Sequence, residues 1–147
     1  MTSTDATLLA IHLAATAGMA GLIWFVQIVH YPLFARVGVA EFAAYEARHT
    51  RSTAWVVGPL MAVEGVSALV IAAAMRDDVG VGLAAAGLAL LAVIHTSTVF
   101  VQVPAHRRLS EGFDAATADR LVRTNWVRTV GWSARTVVAA AMPVAAA

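Results

Sequence analysis

Cysteine is absent from the 147 residues, which excludes a disulfide framework, thiolate metal ligands, an iron–sulfur cluster and covalent c-type haem attachment. Lysine is absent as well, since all ten basic residues are arginine. Charge of either sign is scarce. Charged residues make up 13% of the chain, against roughly 25% in soluble domains, while hydrophobic residues reach 60%. A soluble domain of this size buries only about two thirds of its surface and cannot hide that much apolar area. A lipid solvent removes the problem, so the expected partner is the bilayer; no nucleic-acid partner is expected. The N-terminus has Asp5 and no early basic residue, and its apolar run exceeds a signal peptide's short core, so it reads as a helix of the mature protein.

What is abundant is apolar sequence in long runs. Spanning a hydrocarbon core of about 30 Å takes roughly 20 helical residues. Four stretches qualify: about Thr7 to Phe34, Thr53 to Met75, Val79 to Val103 (stopped by Pro104) and Trp126 to Val144, the last with a polar helical lead-in from Ala115. Residues 40–51 read as a further helix, either an interfacial piece or an extension of the second span. The expected architecture is all-α: one domain over residues 1–147, an integral-membrane, up-down four-helix bundle. Arg36, Arg48, Arg51, Arg107, Arg108, Arg120 and Arg123 fall on the side of the two long loops, and only Arg76 on the other. The positive-inside rule then predicts a multi-pass protein of the cell (inner) membrane with both termini outside. Gly80, Gly82 and Gly87 would allow close helix approach within the chain or in a homo-oligomer.

The polar residues within the spans follow the helical period. Gln27, His30, Tyr31 and Phe34 share a face, as do Glu46, His49 and Thr53, with Glu64 returning to that face further on. His95, Thr98, Gln102 and His106 form a third stripe, and Asn125, Arg128, Trp132 and Arg135 a fourth. Their depths match, so the pattern predicts one polar cavity in the cytoplasmic half. A charge at mid-bilayer costs about 2.5–3.5 kcal/mol on insertion scales. Glu64 and Arg135 are therefore expected to face inward and pair, either as a structural ion pair or as a functional one.

Each group also has a plainer reading. His30 and Gln27 could serve interfacial hydrogen bonding, and Glu46 with His49 a solvated face. His106 reads by default as a surface residue beyond Pro104, and His12 as a packed histidine near the opposite face. Trp132 is either a belt residue or the wall of a cavity. His95 lies deeper and calls for a partner.

Three chemistries fit such a cavity. His30, Glu46, His49, His95 and His106 are candidate ligands for a transition metal (iron, copper or zinc), although His95 and His106 are too far apart on a regular helix to share one ion. Two histidines could instead ligate haem b, with arginine at its propionates. A cofactor-free site would use histidine as base and Arg or Asn to hold the resulting anion.

Pro104-Ala105-His106-Arg107-Arg108-Leu109 and Asn125-Trp126-Val127-Arg128-Thr129-Val130-Gly131-Trp132-Ser133-Ala134-Arg135-Thr136 resemble elements of the small four-helix membrane proteins grouped with anthrone oxygenases. His106 stands where that family usually has Asn, and Trp132 where it usually has His; Trp126 and Arg135 carry over. The resemblance covers about a third of the chain. It implies oxidation of a polycyclic phenolic or quinone-like substrate within the membrane, without a required cofactor.

The leading expectation is therefore a membrane oxidoreductase or oxygenase for a lipophilic small molecule. His95, Glu64, Arg135 and Arg128 are its candidate catalytic residues, and His30, His95, Trp132, Asn125 and Gln27 its candidate cofactor-binding residues. A non-enzymatic haem or metal electron carrier and a proton-coupled transporter using Glu64 are the alternatives.

Overall fold

The computed structural model describes residues 1–147 and contains helices and no strand. Helix α1 runs over Ser3–Arg36, α2 over Phe42–Ala74, the short α3 over Arg76–Val79, α4 over Val81–Leu109 and α5 over Ala115–Ala145. Helices α1, α2 and α4 are long and apolar enough to cross a membrane. Helix α5 falls short of that measure. It carries Arg120, Arg123, Arg128 and Arg135, which lower its hydropathy.

Local chemistry explains the helix starts. Thr2 and Asp5 form a reciprocal capping box at α1, with the Thr2 amide donating to Asp5 at 2.7 Å. Asp114 caps α5 by accepting from the Thr117 amide at 2.8 Å. Hydrogen bonding from the Thr117 side chain, and then from its amide, favours the ionised carboxyl and holds Asp114 below its usual range. Gly80 has φ +86°, a left-handed conformation suited to glycine, and separates α3 from α4.

Two prolines shape the site. The sequence reads as if Pro32 and Pro104 end their spans, but neither does. A proline lacks its amide hydrogen and crowds the preceding turn. In α1 the strain is taken up by a π-turn over Val26–His30, followed by a 3₁₀ stretch over Tyr31–Arg36. In α4 a π-turn over Thr98–Gln102 lets the helix run through Pro104 to Leu109. Each π-turn inserts about one residue and rotates the downstream part of the helix by roughly 100°. His95 and His106 therefore do not share the straight stripe that a regular period predicts. Residues 40–51 prove to be mainly the start of α2, which continues through Gly58 and Pro59.

Helix α5 packs against both α1 and α4, and α1 also packs against α2. Three apolar clusters fill the interior. Leu9, Ile71 and Met142 belong to one, Met19, Ile23, Ile94 and Trp132 to a second, and Phe34, Phe42, Leu109 and Leu121 to a third. Gly131 permits the closest approach: a Cβ there would lie 2.8 Å from Ile94 Cγ1. Gly87 meets the Arg135 side chain within the chain, whereas Gly80 and Gly82 face open space. Large apolar side chains, including Trp55, Leu69, Phe100 and Val137, point outward. In water that surface would be an aggregation hazard.

Candidate metal centre

Glu46 and His49 lie one turn apart on α2 and so share a face. His106 reaches them from α4, beyond the π-turn and Pro104. Together the three offer ligand atoms that all lie within 4.8 Å of one another. Metal–nitrogen and metal–oxygen bonds of about 2.0–2.2 Å place neighbouring ligand atoms about 3–4 Å apart. The spacing is thus close to that of a bound ion, and His106 would exchange one of its ring hydrogen bonds for the metal.

The hydrogen bonds order the rings. The Glu46 carboxylate is fully buried; its Oε1 pairs with His106 Nδ1 at 2.5 Å, and its Oε2 has no partner. His106 Nε2 meets the Tyr31 hydroxyl at 2.9 Å. The consistent assignment has Nδ1–H donating to Glu46 and Tyr31 O–H donating to Nε2. His30, delivered by the π-turn of α1, places Nε2 2.8 Å from His49 Nδ1, which also meets Thr53 Oγ1 at 3.2 Å. Phe34 stands edge-on to both rings, and Tyr45 lies parallel to His49. Because His30 and His49 are in hydrogen-bond contact, a haem between them would have to force both rings apart.

Two histidines and one carboxylate are the donor types of the facial triad suited to non-haem Fe(II). The buried, half-partnered Glu46 supplies negative charge, and His30 stands beside His49 as a further nitrogen donor. Two apolar cavities reach this cluster. One, of about 390 Å³, is bordered by His30, Tyr45, Arg48 and His49. The other, of about 370 Å³, is bordered by Tyr31, His49, Gln102, His106 and Arg128.

The remaining polar residues fall into separate groups. Asn125 Nδ2 donates to Gln27 Oε1 at 2.9 Å, and Arg128 donates from a terminal nitrogen to Asn125 Oδ1 at 3.1 Å. Gln27 itself donates to the Val122 carbonyl at 3.1 Å. Deeper in the interior, Arg135 donates to Glu64 through Nε and to the Gly87 carbonyl through a terminal nitrogen. His12 Nδ1 lies 2.8 Å from Ser67 Oγ, which donates to the Glu64 carbonyl at 3.0 Å.

The structure thus assembles His30, Glu46, His49 and His106 and pairs Glu64 with Arg135. The second cavity draws on all four stripes, with Tyr31 from the first, His49 and Thr53 from the second, Thr98, Gln102 and His106 from the third and Arg128 from the fourth, but Glu64, His95, Trp132 and Arg135 do not line it. His95 lies outside the metal cluster: its Nδ1 meets the Leu91 carbonyl of its own helix at 3.0 Å, and the π-turn places it out of register with His106. Glu64 and Arg135 pair with each other away from both cavities, leaving Glu64 Oε2 and one terminal nitrogen of Arg135 without a partner. Trp132 is fully buried in the apolar core and borders neither cavity. Tyr31, Thr53 and Tyr45 complete the centre, although their residue types alone carry no ligand signal. The Glu-x-x-His spacing marks half of it. The arrival of His106 depends on a π-turn that periodicity does not reveal.

Comparison with protein-family models, with curated proteins and with solved structures returns no match.

Proposed function

We propose that this chain is an integral-membrane four-helix bundle that holds one first-row transition metal, iron by preference, at Glu46, His49 and His106, and oxidises a lipophilic phenolic or quinone-like substrate. In this reading the protein lies in the cell membrane with both termini outside, and α5 is its fourth span, with Arg128 and Arg135 turned inward. The outward apolar side chains and the three long apolar helices support the membrane setting. The observation that carries the metal is the convergence, within 4.8 Å, of one buried carboxylate and two imidazoles from two helices.

The chemistry derives from the donor set. Glu46, His49 and His106 would hold the iron, which when bound would supply one-electron redox chemistry toward substrate and dioxygen. A hydroquinone would lose two electrons and two protons to become the quinone, and dioxygen would take up both to become hydrogen peroxide. Tyr31 and His106 provide hydrogen-bonded positions for protons beside the centre, at 2.9 Å. The apolar cavities suit a lipophilic ring better than a hydrated one.

Oxygen uptake by the protein in nanodiscs, with a naphthohydroquinone as substrate, tests the activity. Uptake should appear with Fe(II), disappear with a chelator, and be absent in His106→Ala. Uptake that is equal in the variant, or indifferent to iron, would reject the proposal.

A further inference from the structure

We infer that Arg128 makes the second cavity a receptor for an amphiphilic anion, a molecule with an anionic oxygen on an apolar body. The inference deepens the preceding reading by naming the ligand chemistry of a cavity that borders the same cluster; the metal is not needed for the anion to bind.

Arg128 is 7% exposed, so its guanidinium is largely withdrawn from water. The other deeply buried arginine, Arg135, has its carboxylate in Glu64. Arg128 has none. Its hydrogen-bond partners are neutral, the Asn125 side chain and the Tyr31 hydroxyl, and its Nε is unpartnered. A buried charge without a counter-charge is costly, and natural interiors pair such charges or bind ions with them.

The cavity wall offers no internal solution. Arg107, Arg128, His49 and His106 line it, and no carboxylate does. Glu46 lies behind His106, engaged by its Nδ1. The Tyr31 hydroxyl, beside the guanidinium, and Gln102 add neutral polar groups at the same wall. The rest is largely apolar, including Met19, Leu22 and Ile23. A cation at one wall of an apolar space of about 370 Å³ matches a ligand with one anionic oxygen and a hydrocarbon or ring body. A free carboxylic acid and a phosphate-bearing lipid share that chemistry.

The test is titration calorimetry of the metal-free protein in nanodiscs of zwitterionic phospholipid. Dodecanoate and dodecyl phosphate are the anionic probes, and dodecanol is the neutral counterpart. At least one anion should bind about ten-fold or more tightly than dodecanol, the ratio expected of one desolvated charge-assisted contact. Preference for dodecanoate identifies a free acid; preference for dodecyl phosphate identifies a lipid phosphate. Arg128→Met should abolish the anion preference, Arg128→Lys should keep part of it, and Arg76→Met, in α3 and outside the cavity lining, should change it little. Equal binding of dodecanol, no binding of either anion, or an unchanged preference in Arg128→Met would overturn the inference. If Arg128→Met fails to fold, the anion-to-alcohol ratio of the unaltered protein still decides. Because the titration uses metal-free protein, a failure here leaves the metal reading to stand or fall on metal content.

Discussion

Glu46 Oε1 and His106 Nδ1, sixty residues apart in the chain, meet at 2.5 Å inside the protein. The contact joins α2 to the end of α4, and the second carboxylate oxygen of Glu46 is left without a partner. Replacing Glu46 with Gln keeps the shape and removes the charge. Iron affinity of E46Q, measured by competition with a chromogenic chelator, is expected to fall at least about ten-fold, in the range found when metal-site partners are altered. Circular dichroism should show the helices intact.

Glu64 and Arg135 form a buried ion pair, at 0% and 1% side-chain exposure. Removing one partner strands a charge away from water, which costs about 3–5 kcal/mol. Arg135→Leu should therefore lower thermal stability sharply, whereas the double variant Arg135→Leu, Glu64→Leu should recover most of the loss. A double variant as unstable as the single one would show that the pair is not the source of the effect.

Gly131 sits where a methyl group would come within 2.8 Å of Ile94 Cγ1. Overpacking of this kind costs about 1–3 kcal/mol. Gly131→Ala is expected to lower the unfolding midpoint, and Ile94→Ala in the same chain should relieve part of that strain. A double-mutant cycle on the unfolding midpoint measures the coupling.

Asp114 gives a pH signature at the start of α5. Its carboxyl, accepting from the Thr117 amide, titrates below the ordinary value of 3.8. A group whose folded pKa is depressed stabilises the fold above its unfolded pKa, and that contribution fades as pH falls through the folded value. Protection of the Thr117 amide, after correction for the intrinsic pH dependence of exchange, should thus be high at neutral pH and fall in acid below 3.8. In Asp114→Ala the exchange should already be faster at neutral pH.

Helical content and the apolar runs are legible in the sequence because 60% hydrophobic composition and long uncharged stretches leave few alternatives. The pairing of Glu64 with Arg135 is legible for the same reason, since two deep charges need each other. The centre is only half legible. Glu46 and His49 announce themselves by spacing on a regular helix. His106 reads as lying beyond a helix stop, because Pro104 looks like a terminator when the π-turn before it is unseen. The same irregularity makes His95 look like a partner of His106. Regular periodicity finds which residues face inward, but a π-turn rotates the face. The arginines are ambiguous too: Arg128 and Arg135 look alike in sequence, and only packing shows one neutralised and the other not.

The most direct test of the central claim is metal stoichiometry. The protein, purified gently and loaded anaerobically with Fe(II), should retain about one iron per chain after desalting, as a 2-His-1-carboxylate site would. The His49→Ala, His106→Ala double variant should retain essentially none, while His95→Ala retains as much as the unaltered protein. Iron that binds equally well to the double variant, or that is lost on changing His95 alone, would contradict the assignment of the centre to Glu46, His49 and His106.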